Sequence, residues 1–351
     1  MDSSKPVWEQ MYQTDTQFMD KYDYSDSKEI TITELMTDLK LDNMIQSLKK
    51  NSSLQRISFW RGSGLAWNRH KEFFDVLLAI PSLEFISFAR SGVGFAPLEY
   101  TVELLKHNFS VNYFDLYRTG CGYPSFIKSL SSLLSVTSTL TTLDLAECDL
   151  APSAIPSLAD GLSINSSLET LYARNNRLGD DGARYFGTVL RLNTCLKKLV
   201  LERNEIGDVG ASHLAQGLEQ NSTLQDLDIG WNLITDVGAA AFLDVLATNT
   251  SLICLDIGQN QLSAASVPAF ESALCFNSTL TSLTIAHYDE EYCPLFDDDS
   301  LFSICTRNLH NSVLRSSTLQ RQIWRLIQSL PHFDTFLIPI SILQNLQSNS
   351  Q

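Results

Sequence analysis

Positive charge is scarce in this chain. Lys and Arg number 25 against 40 Asp and Glu, a formal net charge of −15 over 351 residues. Nucleic-acid binding needs clustered Lys and Arg to neutralise phosphates, so a nucleic-acid partner is not expected. The acidic balance suits solubility and a basic protein partner. Long apolar runs are also missing. The longest, such as Phe336 to Leu343, fall far short of the ~20 residues that span a bilayer. The opening Met1-Asp-Ser-Ser-Lys-Pro has no basic start followed by an apolar stretch, so no signal peptide is expected.

Paired cysteines are absent as well. Cys121, Cys148, Cys195, Cys254, Cys275, Cys293 and Cys305 form no CxxC, and no His lies at metal-ligand spacing. They read as reduced, mostly buried thiols of a cytosolic protein. No GxSxG, HExxH, Walker loop or dinucleotide fingerprint occurs, and the six His are scattered. Asp297-Asp298-Asp299 lacks EF-hand spacing and reads as a solvated acidic loop. The expectation is therefore a protein without catalytic residues, cofactor or metal.

What the chain does have is a period. Leu196, Leu199, Leu201, Asn204 and Ile206 are followed by Gly210-Ala211, and Leu224, Leu227, Ile229, Asn232, Ile234 and Gly238-Ala239 repeat the pattern. The first apolar residue of each copy falls at Leu54, Leu83, Val111, Leu140, Leu168, Leu196, Leu224, Leu252 and Leu280, always 28 or 29 residues apart. Composition bias can supply leucines but cannot supply that phase, so the chain reads as one strand and one helix per repeat.

Each repeat position has a physical reason. Residues at anchor +3 and +5 share the inward strand face with the anchor. Asn at +8 (Asn176, Asn204, Asn232, Asn260; Cys148 in one copy) can bond loop backbone that would otherwise be buried unpaired. Asp180, Asp208 and Asp236 are placed to cap the helix that follows. Gly182, Gly210 and Gly238 let adjacent helices approach. Asn165, Asn193, Asn221, Asn249 and Asn277 suit a left-handed helix C-cap. Six Asn-x-Ser/Thr sequons fall at that same position, so they are repeat grammar, and they favour folding in cytosol. The first three repeats carry Gly62, Ser91 and Thr119 at +8 and so lack the asparagine ladder.

Residues 1–28 read as an acidic, aromatic N-terminal arm in which no period emerges, either lying against the first repeat or a disordered leader. Residues 29–287 form the repeat array, opened by a half-repeat with a strand at Ile30-Thr31-Ile32 and a helix marked by Leu35, Leu39, Ile45 and Leu48. Residues 288–351 give an acidic loop, a helical C-terminal cap and a polar tail.

The 28-residue step, the Asn/Cys position and the Gly-Ala helix start resemble leucine-rich repeats of the ribonuclease-inhibitor-like subfamily. The NSSL/NSTL phrase before most anchors, the modest repeat count and the irregular ends are most similar to Legionella-type bacterial effectors. The resemblance implies an α/β solenoid, curved, with a parallel sheet on the concave face and helices on the convex face. It also implies a protein partner in the concavity, with inhibition of an enzyme by occlusion as one outcome. A GTPase-activating role and an adaptor role are the alternatives, because relatives include Ran GTPase-activating protein.

Read in register, positions +2, +4, +6 and +7 point away from the core. Two patches follow. Trp60, Arg61, Arg90, Arg118 and Tyr117 form a basic-aromatic strip in the early repeats. Tyr172, Arg174, Glu202, Arg203, Asp228, Trp231 and Asp256 gather in the later ones. Trp, Tyr and Arg dominate binding energy at interfaces, which makes Trp231 the foremost candidate.

Overall fold

A computed structural model describes residues 23–33, 38–60, 69–263, 266–274, 277 and 279–285. Most of the N-terminal arm, Arg61, Leu35 and the whole 288–351 region lie outside the described residues. The chain divides into two compact units, Met1–Thr119 and Gly120–Gln351.

The first unit alternates β1 (Glu29–Ile32), α1 (Asp38–Leu48), β2 (Arg56–Phe59), α2 (His70–Leu78), β3 (Phe85–Ser87), α3 (Phe95–Leu105) and β4 (Tyr113–Asp115). Its strands pair in parallel, with Ile57 aligned on Ile30 and Ile86, and Ile86 on Phe114. The expected half-repeat is present, with one difference. Leu39 is 70% exposed, and the buried face of α1 is Leu41, Met44, Ile45 and Leu48. The core here is aromatic. Phe59 and Phe88 stack with centroids 4.8 Å apart, and Phe73, Phe74 and Phe114 meet them edge-on or tilted. Where the asparagines are missing, Thr119 donates its hydroxyl to Leu116 O at 2.8 Å and Ser91 Oγ accepts from Val93 N.

The second unit continues with α4 (Pro124–Leu134), β5 (Thr142–Asp144), a 3-10 turn (Pro152–Ala154), α5 (Ile155–Ile164), β6 (Thr170–Tyr172), α6 (Gly179–Leu192), β7 (Lys198–Val200), α7 (Asp208–Glu219), β8 (Asp226–Asp228), α8 (Asp236–Thr248), β9 (Cys254–Asp256), α9 (Val267–Leu274) and β10 (Ser282–Thr284). Its strands are parallel and in step, with Leu143, Leu171, Leu199, Leu227, Leu255 and Leu283 in consecutive register. Short strands with helical returns follow from the pattern itself, a three-residue apolar alternation followed by a helix-period run.

Asparagine ties one turn to the next. Asn204 is fully buried, and its Nδ2 donates to Ala173 O of the preceding turn and Leu201 O of its own. Asn232 Oδ1 accepts from the backbone N–H of Asn204 and of Ile206 at 2.9 and 3.0 Å. Asn176 and Asn260 repeat the arrangement. Cys148, in the same place, makes a long contact of 3.6 Å from its thiol to Ala146 O.

Two expectations need correction. Asn165, Asn193 and Asn249 end their helices in extended backbone, with φ between −64° and −77°, and not in the left-handed region. Their amides explain why. Nδ2 of Asn165, Asn193, Asn221, Asn249 and Asn277 reaches a helix-end carbonyl of the previous turn, from Leu134, Leu162, Leu190, Leu218 and Leu246. Each Oδ1 accepts from the N–H two and three residues on, as at Leu168 and Leu196. Likewise Asp180 and Asp208 do not cap their own helices. Asp180 Oδ1 accepts from Gly207 N and Gly210 N, and Asp208 Oδ1 from Thr235 N and Gly238 N, one repeat later. Each carboxylate thus lies at the positive N-terminal end of the next helix. Burial works to raise the Asp208 pKa, but the bonds from Thr235 and Gly238 outweigh it and hold it below the ordinary value. Gly210 and Gly238 permit this: a Cβ on either would lie 2.7 or 2.5 Å from that carboxylate oxygen.

Replacing Asn232 by Ala leaves the buried N–H groups of Asn204 and Ile206 without their acceptor and removes one of two amide donors from each of Leu201 O and Ile229 O. The expected loss in chemical denaturation is about 2–4 kcal/mol, and a loss below ~1 kcal/mol would show that the amide is dispensable.

Candidate functional site

Beyond strands β3 to β9 the chain turns at anchor +7, and there the backbone is left-handed. Arg90, Arg118, Glu147, Asn175, Arg203, Trp231 and Gln259 all have φ between 54° and 56°. An L side chain in this region costs roughly 1–2 kcal/mol, which glycine avoids. The turn is held by the neighbouring strand: Arg203 N donates to Gly230 O and Trp231 N to Gly258 O. The fold therefore imposes this conformation and presents whatever side chain stands there.

Trp231 is 50% exposed. The Arg203 guanidinium lies over its ring, 4.5 Å from the centroid, and Arg203 Nε is 3.4 Å from Glu202 Oε1. Two sequential repeats thus brace one aromatic at an open position. Beside it Gly230 and Gly258 are buried, and a Cβ on Gly230 would lie 3.3 Å from both Asp228 Oδ1 and Asp256 Oδ1. Leu233, two residues on, is also 50% exposed. Sequence reasoning passed over it, although the equivalent positions carry the charged Asp149, Arg177 and Glu205.

Register places Tyr172, Val200, Asp228 and Asp256 on consecutive strands. Tyr172 is therefore about 10 Å from Asp228, two strand spacings away, with the buried Val200 between them. Lys198 pairs with Asp226 at 2.5 Å. Arg174, Glu202, Arg203 and Trp231 lie at the strand exits, with Arg203 exposed and Arg174 and Glu202 half-buried. So the later patch is brought onto one strand face, with Tyr172 toward one side and the Trp231–Arg203 pair toward the other.

The acidic column has a second duty that the spacing alone did not reveal. Asp144, Asp228 and Asp256 each accept the N–H two residues on, from Ala146, Gly230 and Gly258. Asp115 does the same for Tyr117, and also accepts from the Ser87 hydroxyl at 2.7 Å. Burial, helped by Asp256, Glu202 and Asp226, pushes the Asp228 carboxyl up to about 6 against the Gly230 N–H. Asp256 is likewise raised, first by burial. No cation pairs with either carboxylate among the described residues.

The earlier patch, in the first unit, is built differently. The Arg90 guanidinium lies 5.1 Å from the Tyr117 ring centroid and donates to its hydroxyl at 3.0 Å. Tyr117 is only 7% exposed, so it supports Arg90 and offers little area itself. Arg118 is exposed and Trp60 half-buried; Arg61 lies outside the described residues. Arg56 over Phe85 at 4.0 Å, with Phe85 against Tyr113 at 4.9 Å, adds a cationic-aromatic run at +2 that was not singled out. Its signal was the shared phase of those three positions.

Among the described residues no group of three or more His, Cys, Asp or Glu could hold a metal, and no helix is long and apolar enough to cross a membrane. Cys121, Cys148, Cys195 and Cys254 are free thiols.

Parallel strands alternating with helices at a 28-residue step define an α/β repeat solenoid. The profile described as Leucine Rich repeat matches residues 192–215 and 220–243, and the fold is a leucine-rich-repeat solenoid. No curated protein matches this sequence. Among solved structures, the actin-binding site 2 of leiomodin-1 is 22% identical with a TM-score of 0.42, covering 49% of this chain and 99% of that one. The C-terminal domain of a Caenorhabditis elegans tropomodulin is 17% identical with a TM-score of 0.40, covering 46% and 96%. An internalin of Listeria monocytogenes is 15% identical with a TM-score of 0.39, covering 76% and 84%.

A carboxyl whose folded pKa is raised favours folding below its unfolded value, near 4, and that contribution is lost as pH rises through about 6. Asp228→Asn, which keeps the acceptor for Gly230 N–H, should therefore be about 1–3 kcal/mol more stable than wild type at pH 7.5 and equal to it near pH 4. Denaturation at the two pH values checks this; equal stability at pH 7.5 would contradict it.

Proposed function

We propose that this chain is a non-enzymatic protein-binding module whose partner docks on the exposed strand face of the second unit. The observation that carries the reading is Trp231. It stands half-exposed on a left-handed turn, braced by Arg203. Large aromatic and Arg side chains in such positions supply most of the binding energy at protein interfaces. Tyr172, Arg174, Glu202, Asp228 and Asp256 extend the contact area across neighbouring strands.

The resemblance to ribonuclease-inhibitor-like repeats supports occlusion as the mechanism: the partner, itself an enzyme, is blocked where it seats. An adaptor that recruits a host protein uses the same surface without blocking it. Both roles fit a Legionella-type effector acting in cytosol, and the buried thiols Cys121 and Cys148, in no disulfide, are in keeping with a reducing compartment. In this reading residues 29–287 are the solenoid; 288–351 lie outside the described residues. A GTPase-activating role has less support, because the Arg203 guanidinium is engaged by Trp231 and Glu202.

An affinity capture from host lysate, with wild type beside Trp231→Ala and Tyr172→Ala, tests the proposal. The expected result is a partner lost or weakened by about 2 kcal/mol or more in the variants, with thermal melting little changed. A partner that both variants retain, and that Arg118→Ala loses, would place the site on the first unit and sink the reading.

A further inference from the structure

The helix side of the second unit carries a groove that the strand-face reading does not use. Arg184, Thr188 and Arg191 follow the i, i+4, i+7 spacing along α6, and His213, Gln216 and Gln220 follow the i, i+3, i+7 spacing along α7 and its C-cap. They line a groove of about 260 Å³ floored by Gly187 and Gly217. The floor is backbone against backbone. A Cβ on Gly187 would lie 2.3 Å from His213 O, and one on Gly217 would lie 2.4 Å from Gly187 O. Glycine inside a helix costs roughly 1 kcal/mol relative to alanine, so the close approach, and the open trough above it, come at a cost in stability.

The lining is rich in donors: two guanidinium groups, two amides, a hydroxyl and an imidazole, against the single carboxylate of Glu219. Arg191 makes no ion pair among the described residues. Arg184 lies over the Tyr185 ring at 4.6 Å and meets Asp181 only at 3.9 Å. The net charge of −15 does not cancel this local excess, because exposed charges more than ~8 Å away are largely screened at physiological ionic strength. The two arginines are seven residues apart on one helix, about 10 Å along the axis. That separation suits two carboxylates two turns apart on another helix better than a single small anion.

We propose that this groove is a second docking surface, which seats an acidic helical segment of a partner protein along α6 and α7. The probe is a short fluorescein-labelled alanine-rich helical peptide with Glu at two positions seven apart, titrated by anisotropy against the full chain at low ionic strength. Saturable binding is expected. It should fall about tenfold or more in Arg184→Gln/Arg191→Gln and when Gln replaces both Glu of the peptide, and should be unaffected by Trp231→Ala. Thr188→Trp, which fills the groove without changing charge, should also block it and serves if the arginine variant does not fold. Absence of saturable binding, undiminished binding by the variants, or displacement by inorganic phosphate as effectively as by unlabelled peptide would overturn the proposal.

Discussion

Every turn of a solenoid leaves backbone N–H and C=O groups that its own short strand and helix cannot satisfy, and these groups face the neighbouring turn. In this protein amide and carboxylate side chains answer them across the 28-residue step. Asn204 and Asn232 join strand exits; Asn193 and Asn221 join helix ends to strand entries; Asp180 and Asp208 join one helix N-terminus to the next. No turn is complete without its neighbour, so the packing of leucines is only half of what makes the array cooperative. An unpaired buried group costs about 1–3 kcal/mol. That is comparable to a sizeable share of a whole domain's stability, so these polar residues are as essential as the apolar ones.

The first unit keeps the helix-end asparagines, with Asn108 Nδ2 donating to Leu78 O, but meets the demand at its strand exits in another way. It has no asparagine at +8 in its described turns, and instead buries Phe59, Phe73, Phe74, Phe88 and Phe114 together. Ring pairs of this kind contribute about 0.5–1.5 kcal/mol beyond the area they bury. Ser91 and Thr119 bond local backbone within their own turn. Turns in the first unit are thus joined more by side-chain packing, and turns in the second more by polar ladders.

This difference explains how much the sequence could tell. The strand anchors, the inward leucines, the buried asparagines and the phase of the outward columns follow from a period and from which residues tolerate burial. The partners of the polar residues do not. A period of 28 places Asp180 and Asp208 in equivalent positions, so a bond to one's own helix and a bond to the next are indistinguishable in the pattern. The left-handed conformation at +7 was hidden for a related reason: residues as different as Arg203, Trp231 and Gln259 occupy it, and none carries the glycine that would advertise it. Leu39 misled because periodicity over one short helix allows two apolar faces, and neighbouring Leu41 and Met44 took the buried one.

The same two columns separate what the fold needs from what it merely allows. At +4 an acceptor for the N–H two residues on is useful but not required, since Val200 stands there without one, and Ser87 supplies it without charge, accepting from Ala89 N at 3.2 Å. A carboxylate at Asp228 or Asp256 is therefore more than the turn requires, and its raised pKa means that burial opposes the charge at neutral pH. At +7 the requirement is a left-handed backbone, for which glycine or asparagine is the least strained choice, and Asn175 is the one such residue in the column. Trp231 and Arg203 are more than that turn requires too. Side chains that add strain or buried charge without serving the scaffold are what the proposed docking face would use, and here they occupy three adjoining strands and their exits.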